Sequence, residues 1–222
     1  MFDCAEPGQR SAGIASAISA LKGGRLVVLP TDTVYGLGAD AFDSTAVAAL
    51  LAAKGRGRNM PVPVLVGSWR TIDGLVYAVP PGARDLIEAF WPGALSLVVR
   101  QAPSLSWDLG DSYGTVMLRM PLHPVALELL RSVGPMAVSS ANISGRPAAV
   151  TATDAQEQLG ERVEVYLDGG RAERQAASTI VDLTGITPRI LRQGPVSAQS
   201  IATVLGTDVA DLTRAADPER PQ

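Results

Sequence analysis

Short apolar runs alternate with helix-like segments along most of this 222-residue chain, and this alternation constrains the fold more than any other feature. The runs RLVVL (25–29), ALSLVVR (94–100) and TVMLRM (115–120) have the length and composition of buried strands. The segments between them begin at Asp, Ser or Pro and end near glycine, as helices do. The sequence therefore predicts an α/β fold with a mixed sheet.

The same signals divide the rest of the chain. Helices are predicted at 9–21, 44–54, 124–133, 152–159 and 197–205, and two helical pieces at 69–90 are broken at Pro80–Pro81. Further strands are predicted at 62–66, 136–139, 163–167, 179–183 and 189–191. No linker interrupts residues 1–206, so we expect a single domain, followed by a polar, flexible tail at 207–222.

Composition excludes several classes of function. The net charge of −3 disfavours bulk, non-specific nucleic-acid binding, which depends on neutralising many phosphates. With one cysteine (Cys4) and one histidine (His123), neither an internal disulfide nor a zinc site is expected. No apolar run has the length of a membrane span, and no signal peptide is evident. We expect a cytoplasmic protein.

The stretch LPTDTVYGLGADAF (29–42) follows the first predicted strand. Its glycines fit G-x-G-x-x-A, but no acidic residue follows about 20 positions later, so a dinucleotide site is rejected. A glycine turn before the next helix explains Gly36 and Gly38. It does not explain four hydrogen-bonding side chains in succession: Thr31, Asp32, Thr33 and Tyr35. From the residues alone, a ligand site and an ordinary turn stay equally open.

Cations cluster in KGRGR (54–58) at the end of a predicted helix. Helix C-termini favour basic residues and glycine, which accounts for Lys54 and Gly55. Arg56 and Arg58 are not explained in this way, so the pattern favours an anion site built from flexible backbone and guanidinium groups. It is not a P-loop, because G-x-x-x-x-G-K-[ST] does not occur.

Other polar residues follow predicted strands, each with a structural explanation at least as good as a functional one. SSANISGRP (139–147) can cap a strand end, and Arg119 within an apolar strand needs a carboxylate partner. Ser178 precedes one late strand and Arg192 follows another. The chain offers no Ser–His–Asp set, carboxylate dyad or thiol nucleophile, so such a site would act by positioning and charge neutralisation.

Together, LPTDTVYGLGADAF, the K-x-R of Lys54 and Arg56, FWPGALSLVV, VMLRMP, the S-x-N of Ser140 and Asn142, STIVDLTG and ILRQGP resemble the YrdC/TsaC-type threonylcarbamoyl-AMP synthases. The resemblance covers residues 24–197 and implies the short, single-domain form. It implies a twisted sheet with a large concave cleft. The implied reaction joins L-threonine, bicarbonate and ATP into threonylcarbamoyl-AMP and pyrophosphate, with Mg²⁺ accompanying ATP and no metal held by protein side chains.

The resemblance also implies residue roles. Lys54, Arg56, Ser140 and Asn142 would be catalytic and bind ATP together with Thr115 and Arg192. Thr33, Arg119 and Ser178 would bind threonine, with Arg119 on its carboxylate. A tRNA-modifying transferase would use the product beside the anticodon, and a weak tRNA contact is implied.

Two residues depart from the family pattern. Gly57 replaces a proline that many members have after K-x-R, so this loop is expected to be more mobile. Leu65 replaces a histidine that some members place near threonine, which changes the expected pocket wall.

Two rival functions stay open. A carbamoyl-adenylate enzyme of hydrogenase maturation would need extra domains or zinc-binding cysteines. A double-stranded-RNA-binding module of the same fold would leave the threonine-site residues without a purpose.

Overall fold

The computed structural model describes residues 1–214, in which ten strands form one mixed sheet. The strands in chain order are β1 (Phe2–Asp3), β2 (Val27–Leu29), β3 (Gly36–Asp40), β4 (Val64–Leu65), β5 (Leu95–Arg100), β6 (Thr115–Arg119), β7 (Met136–Ser140), β8 (Val165–Asp168), β9 (Thr179–Asp182) and β10 (Arg189–Arg192). Their order in the sheet is β1-β8-β2-β3-β7-β4-β6-β5-β9-β10. Four neighbouring pairs are parallel and five are antiparallel, which confirms the predicted mixed sheet.

Seven α-helices flank this sheet within residues 1–214. They are α1 (Pro7–Lys22), α2 (Ser44–Ala53), α3 (Ala83–Phe90), α4 (Pro124–Val133), α5 (Ala152–Leu159), α6 (Ala198–Leu205) and α7 (Val209–Thr213). The first piece predicted between 69 and 90 is a 3₁₀ helix, Trp69–Gly74. None of the helices described in residues 1–214 is long and apolar enough to span a membrane.

Local chemistry sets several helix ends where the sequence predicts them. The Asp43 carboxylate accepts hydrogen bonds from the amides of Thr45 (2.9 Å) and Ala46 (3.0 Å) and so caps α2. Helix α4 has Pro124 in its first turn, where the missing N–H costs little, and it ends before Gly134, which has a positive φ of 88°. These caps fix the points at which the chain leaves each helix.

Apolar residues form a core on each face of the sheet. On β2, Val28 belongs to one core and its neighbours Val27 and Leu29 belong to the other, as the alternation of side chains along a strand requires. Helices α1 and α4 cover the second core, whereas α2, α3, α5 and α6 pack on the first. The inner strands are therefore buried on both faces, which explains why most of them are short apolar runs, whereas the edge strands β1 and β10 are partly exposed.

Strand β3 corrects an interpretation made from sequence. Gly36–Asp40 is neither a turn nor a ligand loop but an inner strand that pairs with β2 on one side and β7 on the other. A Cβ on Gly36 would lie 2.6 Å from Val138 Cγ1, and one on Gly38 would lie 2.6 Å from Met136 Cε. The glycines are thus needed because side chains of β7 fill the space where a Cβ would stand.

The predicted flexible tail is also wrong in part. Helix α7 lies within it, and Leu212 is fully buried in the first core. Val209 also packs against this core, so two apolar residues anchor a segment whose overall composition is polar. The rest of the predicted tail, 215–222, lies outside the described residues, and the division into one domain at 1–206 stays a prediction.

We predict that Gly36→Ala lowers the free energy of unfolding by about 1–3 kcal/mol, because the new methyl group must displace the stiff, β-branched Val138 side chain. Urea unfolding of both proteins measures the difference. Gly8→Ala is the matched control, since Gly8 lies in α1 with no atom within 4 Å of the position of its Cβ. Equal unfolding midpoints for Gly36→Ala and the parent would contradict the packing explanation.

Candidate active site

A cavity of about 260 Å³ lies where several strands end. Leu29, the last residue of β2, pairs with Gly36 at the start of β3, and Gly36 pairs with Ser140 at the end of β7. The loop 30–35 and the residues after β7 therefore meet at one edge. The polar residues that line the cavity are Thr31, Thr33, Tyr35, Arg56, Ser96, Arg119, Ser139, Ser140, Ser178 and Arg192.

Arg119 is the most buried cation of this cavity. Its Nη2 donates to Asp32 Oδ1 at 2.5 Å, its Nη1 to Thr33 Oγ1 at 2.9 Å and its Nε to the Gly93 carbonyl at 2.8 Å. The carboxylate expected for a buried arginine is therefore Asp32. Burial lowers the pKa of Arg119, and the Asp32 carboxylate acts in the opposite direction.

Arg192 lies at the end of β10 and reaches the residue that precedes β9. Its Nε and Nη2 donate to the Ser178 carbonyl at 3.0 and 2.8 Å, and Nη2 also donates to Ser178 Oγ at 3.2 Å. Gly194 permits this contact, because a Cβ there would lie 2.4 Å from the Ala177 carbonyl oxygen. Arg192 is exposed overall, and desolvation of its guanidinium group lowers its pKa. Its Nε and Nη2 contact only neutral acceptors, which do not cancel its positive charge.

Arg56 follows α2 in the KGRGR segment, and its side chain lines the same cavity. Its Nη1 donates to Ser139 Oγ at 3.1 Å and its Nη2 to the Pro61 carbonyl at 3.4 Å. Within residues 1–214 its buried Nε has no hydrogen-bond partner. Burial lowers the pKa of Arg56 as well. Its weak set of protein partners leaves donors of this guanidinium group available for a ligand.

Lys54 does not line the cavity. Its side chain is buried, and Nζ donates to the carbonyl oxygens of Ser140 and Asn142 (2.7 Å for Asn142) and to Asn142 Oδ1 at 3.3 Å. Burial, and then the nearby charge of Arg56, lower the pKa of Lys54 to about 8. The ammonium group therefore holds the S-x-N loop beneath the cavity, and its predicted contact with triphosphate stays a prediction.

Two other predicted site residues lie outside the lining. The amide of Asn142 donates to the carbonyls of Ile143 (3.0 Å) and Arg146 (2.8 Å) and so shapes its own loop. Thr115 lines an adjoining cavity of about 130 Å³ that shares Pro61 and Met117 with the first. The structure thus brings Thr33, Arg56, Arg119, Ser140, Ser178 and Arg192 together, and places Lys54, Asn142 and Thr115 around them.

The third cation of KGRGR has a structural role. Arg58 forms a two-point contact with the carboxylate of Asp108 (2.9 and 2.8 Å), and Arg58 Nε lies 3.4 Å from Asp111 Oδ1. These contacts join the K-x-R segment to the loop before β6. They also constrain the segment around Gly57, for which the sequence predicts mobility. The other departure from the family pattern, Leu65, lines the cavity.

Sequence reasoning missed Ser96, and it singled out Tyr35 among the polar residues of 29–42 without assigning it a role. Ser96 is buried in β5, and its hydroxyl lies 2.8 Å from Ser178 Oγ. The sequence signal that could have identified Ser96 is its position as a polar residue inside the apolar run ALSLVVR. Tyr35 lines the cavity, and its hydroxyl donates to the Gly170 carbonyl at 2.5 Å and lies 3.2 Å from Asp168 Oδ1. It therefore ties the loop after β2 to the turn after β8.

The chemistry of the lining is that of an anion site. Three arginines and several hydroxyl groups face it, and the residues that line it include no carboxylate. Within residues 1–214, no group of three or more His, Cys, Asp and Glu side chains is placed to hold a metal ion. A site of this kind can bind anions side by side and neutralise the repulsion between them.

Relatives with high sequence identity cover nearly the whole chain. The Sua5/YciO/YrdC family model, described as "Telomere recombination", matches residues 19–194. A protein of Mycobacterium tuberculosis H37Rv, provisionally named threonylcarbamoyl-AMP synthase, is 74% identical over 95% of this chain and 97% of its own length. The threonylcarbamoyl-AMP synthase of Bacillus subtilis is 36% identical over 94% of this chain, which spans 61% of that longer protein.

Solved structures give the same assignment. Pyrococcus abyssi Sua5 complexed with L-threonine superposes with a TM-score of 0.85 and 36% identity over 90% of this chain and 58% of its own. Escherichia coli YciO, with a TM-score of 0.77 and 22% identity over 86% of this chain and 93% of its own, shares the fold. The family model and the identity to these relatives together establish that the chain belongs to the Sua5/YciO/YrdC family.

Proposed function

We propose that this protein is a threonylcarbamoyl-AMP synthase, which condenses L-threonine, bicarbonate and ATP into threonylcarbamoyl-AMP and pyrophosphate. The observation that carries the proposal is that Arg56, Arg119 and Arg192 line one cavity although they come from distant segments of the chain. ATP and bicarbonate are anions at neutral pH, and threonine carries a negatively charged carboxylate. The names of the relatives, and the threonine bound to the Pyrococcus protein, support the same reaction.

In this proposal the nucleotide lies on the side of the cavity formed by Arg56, Ser140 and Arg192, and extends towards Thr115 in the adjoining cavity. Arg56 and Arg192 would contact phosphate oxygens, since each is bonded only to neutral oxygen atoms of the protein. Lys54 would contribute positive charge from outside the cavity lining, while its ammonium group holds the loop that contains Ser140 and Asn142.

Threonine would lie on the other side, between Thr33, Arg119 and Ser178. Arg119 would bind the carboxylate, because its two Nη atoms each carry a second hydrogen beyond those given to Asp32 and Thr33. Ser178 and Ser96 share a hydrogen bond 2.8 Å long, which fixes hydroxyl groups at this side of the pocket. Leu65 supplies an apolar surface for the side-chain methyl group.

The chemistry requires positioning rather than a nucleophilic side chain. The deprotonated amine of threonine attacks the carbon of bicarbonate, a C–O bond breaks and one water leaves. An oxygen of the resulting N-carboxylate then attacks the α-phosphorus of ATP. The bond between the α-phosphorus and the bridging oxygen breaks, and pyrophosphate leaves. Two anions must approach one another, so the cavity contributes by holding them in contact and by neutralising charge that develops on the phosphates.

Magnesium would enter as the counter-ion of ATP. The ion prefers carboxylate and phosphate oxygens, and the lining offers it hydroxyl groups but no carboxylate. The phosphates would therefore supply most of its ligands. The product would serve a transferase that modifies adenosine beside the tRNA anticodon, a step that we assign to a separate protein.

The reaction predicts a specific pattern of isotope exchange. Labelled pyrophosphate should exchange into ATP only when L-threonine and bicarbonate are both present, because the adenylate forms only from both. Exchange without threonine would instead indicate carbamoyl-adenylate chemistry. No exchange under any condition, together with binding of double-stranded RNA, would contradict the proposal in favour of an RNA-binding module.

We predict that Arg56→Ala weakens ATP binding by about 1.5–3 kcal/mol, the usual value of a charge-assisted hydrogen-bonded contact. Calorimetric titration with ATP measures this loss. The control is Arg58→Ala, two residues away, whose partners Asp108 and Asp111 lie outside the cavity lining. We expect no measurable loss of ATP affinity in Arg58→Ala, because its ion pairs are exposed to solvent. Equal losses in both variants would show that the K-x-R segment acts through its structure and not through contact with phosphate.

A further inference from the structure

Asp32 is a buried carboxylate of which only one oxygen has hydrogen-bond partners. Its Oδ1 accepts from Arg119 Nη2 (2.5 Å) and from the Leu122 amide (2.9 Å). Its Oδ2 is buried and has no partner within residues 1–214, although the residue is only 2% exposed. An ionised oxygen in such a place carries a desolvation cost unless a donor reaches it.

Arg174 carries a donor close to this oxygen. Its Nε lies 4.0 Å from Asp32 Oδ2, within the range of an ion pair and about 1 Å beyond a hydrogen bond. The Arg174 side chain is 46% exposed, so it approaches the buried carboxylate from the solvent side. A modest shift of Arg174 would give Asp32 its missing partner.

The loop that carries Arg174 is fixed at both ends and exposed between them. The Ala172 amide donates to the Val150 carbonyl at 2.8 Å, and the Ser178 carbonyl accepts two hydrogen bonds from Arg192. Between these anchors Gln175 has a positive φ of 51°, a conformation that costs energy in a residue other than glycine. Residues 173–177 are exposed, so Arg174 can shift without breaking either anchor.

This loop also borders the proposed threonine side of the cavity, because Ala177 and Ser178 line it. Asp32 competes there with any ligand carboxylate for Arg119. If Arg174 donates a hydrogen bond to Asp32 Oδ2, two guanidinium groups share the negative charge of Asp32. Asp32 then offsets less of the positive charge of Arg119, so Arg119 attracts a ligand carboxylate more strongly. The same shift would draw the Arg174 side of the loop towards the cavity.

We infer that Arg174 is a positioning residue for the amino-acid substrate. It acts through the free oxygen of Asp32, strengthens the hold of Arg119 on the substrate carboxylate, and brings the loop Arg171–Ser178 over that end of the cavity. The inference rests on the proposed function, since it needs an amino acid at Arg119. It assigns Arg174 no contact with the reacting atoms.

The test is the affinity for L-threonine, measured by calorimetry in the presence of ATP. Arg174→Ala should weaken threonine binding roughly tenfold, the value of one charge-assisted contact, and leave the affinity for ATP unchanged. Arg174→Lys should recover most of the loss, because an ammonium group can also donate to Oδ2. Arg171→Ala is the matched control: Arg171 is an exposed arginine of the same loop and should have no effect.

Three results would overturn the inference. They are unchanged threonine affinity in Arg174→Ala, an equal loss in Arg171→Ala, and a loss for ATP as large as the loss for threonine. A second comparison uses Asp32→Asn, in which Arg174→Ala should cause no further loss because the ionised oxygen is gone. A further tenfold loss in that background would show that Arg174 does not act through Asp32.

The result for the parent protein separates this inference from the proposed function. If the parent protein fails to bind threonine under any condition, the proposed function is wrong and the inference falls with it. If the parent protein binds threonine and Arg174→Ala binds it equally well, only the role of Arg174 is contradicted. Should Asp32→Asn not fold, the comparison of Arg174→Ala with Arg174→Lys decides alone.

Discussion

The cations gathered at and beside this cavity need hydrogen-bond partners, and most of those partners are neutral oxygens. The Lys54 ammonium bonds to carbonyls after β7, Arg56 to a serine hydroxyl and a carbonyl, and Arg192 to the carbonyl and hydroxyl of Ser178. Only Arg119 has a carboxylate, that of Asp32. Neutral acceptors hold each cation in place without cancelling its charge, so the cavity keeps a positive potential that a set of ion pairs would have removed.

The sheet provides the geometry for this arrangement. Glycines in β3 let the side chains of β7 pack where a Cβ would otherwise stand, and the loop after β2 then lies beside the S-x-N segment. Lys54 at the end of α2 bonds to the same segment. On the other side, the close contact of Gly194 with the backbone before β9 sets the position of Arg192. Cations from distant parts of the chain therefore converge through packing contacts far apart in sequence.

The sequence predicts elements whose signals are local and fails where the cause is tertiary. Helix α4 is predicted to the residue, because proline and glycine mark its ends. Strand β3 is missed, because GLGAD lacks β-branched residues and its glycines are needed only by the neighbouring strand. The site shows the same contrast between local and tertiary causes. The motifs identify residues that lie in or beside the cavity, but they do not predict that the Lys54 side chain bonds to backbone carbonyls instead of lining the cavity. That orientation depends on burial, which no local pattern encodes.

In the proposed reaction, one cavity holds threonine and ATP against three arginines. A crystal structure of the protein with L-threonine and a non-hydrolysable ATP analogue would show this arrangement. We expect both ligands in the cavity, with the threonine carboxylate within hydrogen-bond distance of Arg119 and phosphate oxygens within reach of Arg56 and Arg192. Ligands bound in separate places, or phosphates that contact none of these guanidinium groups, would contradict it.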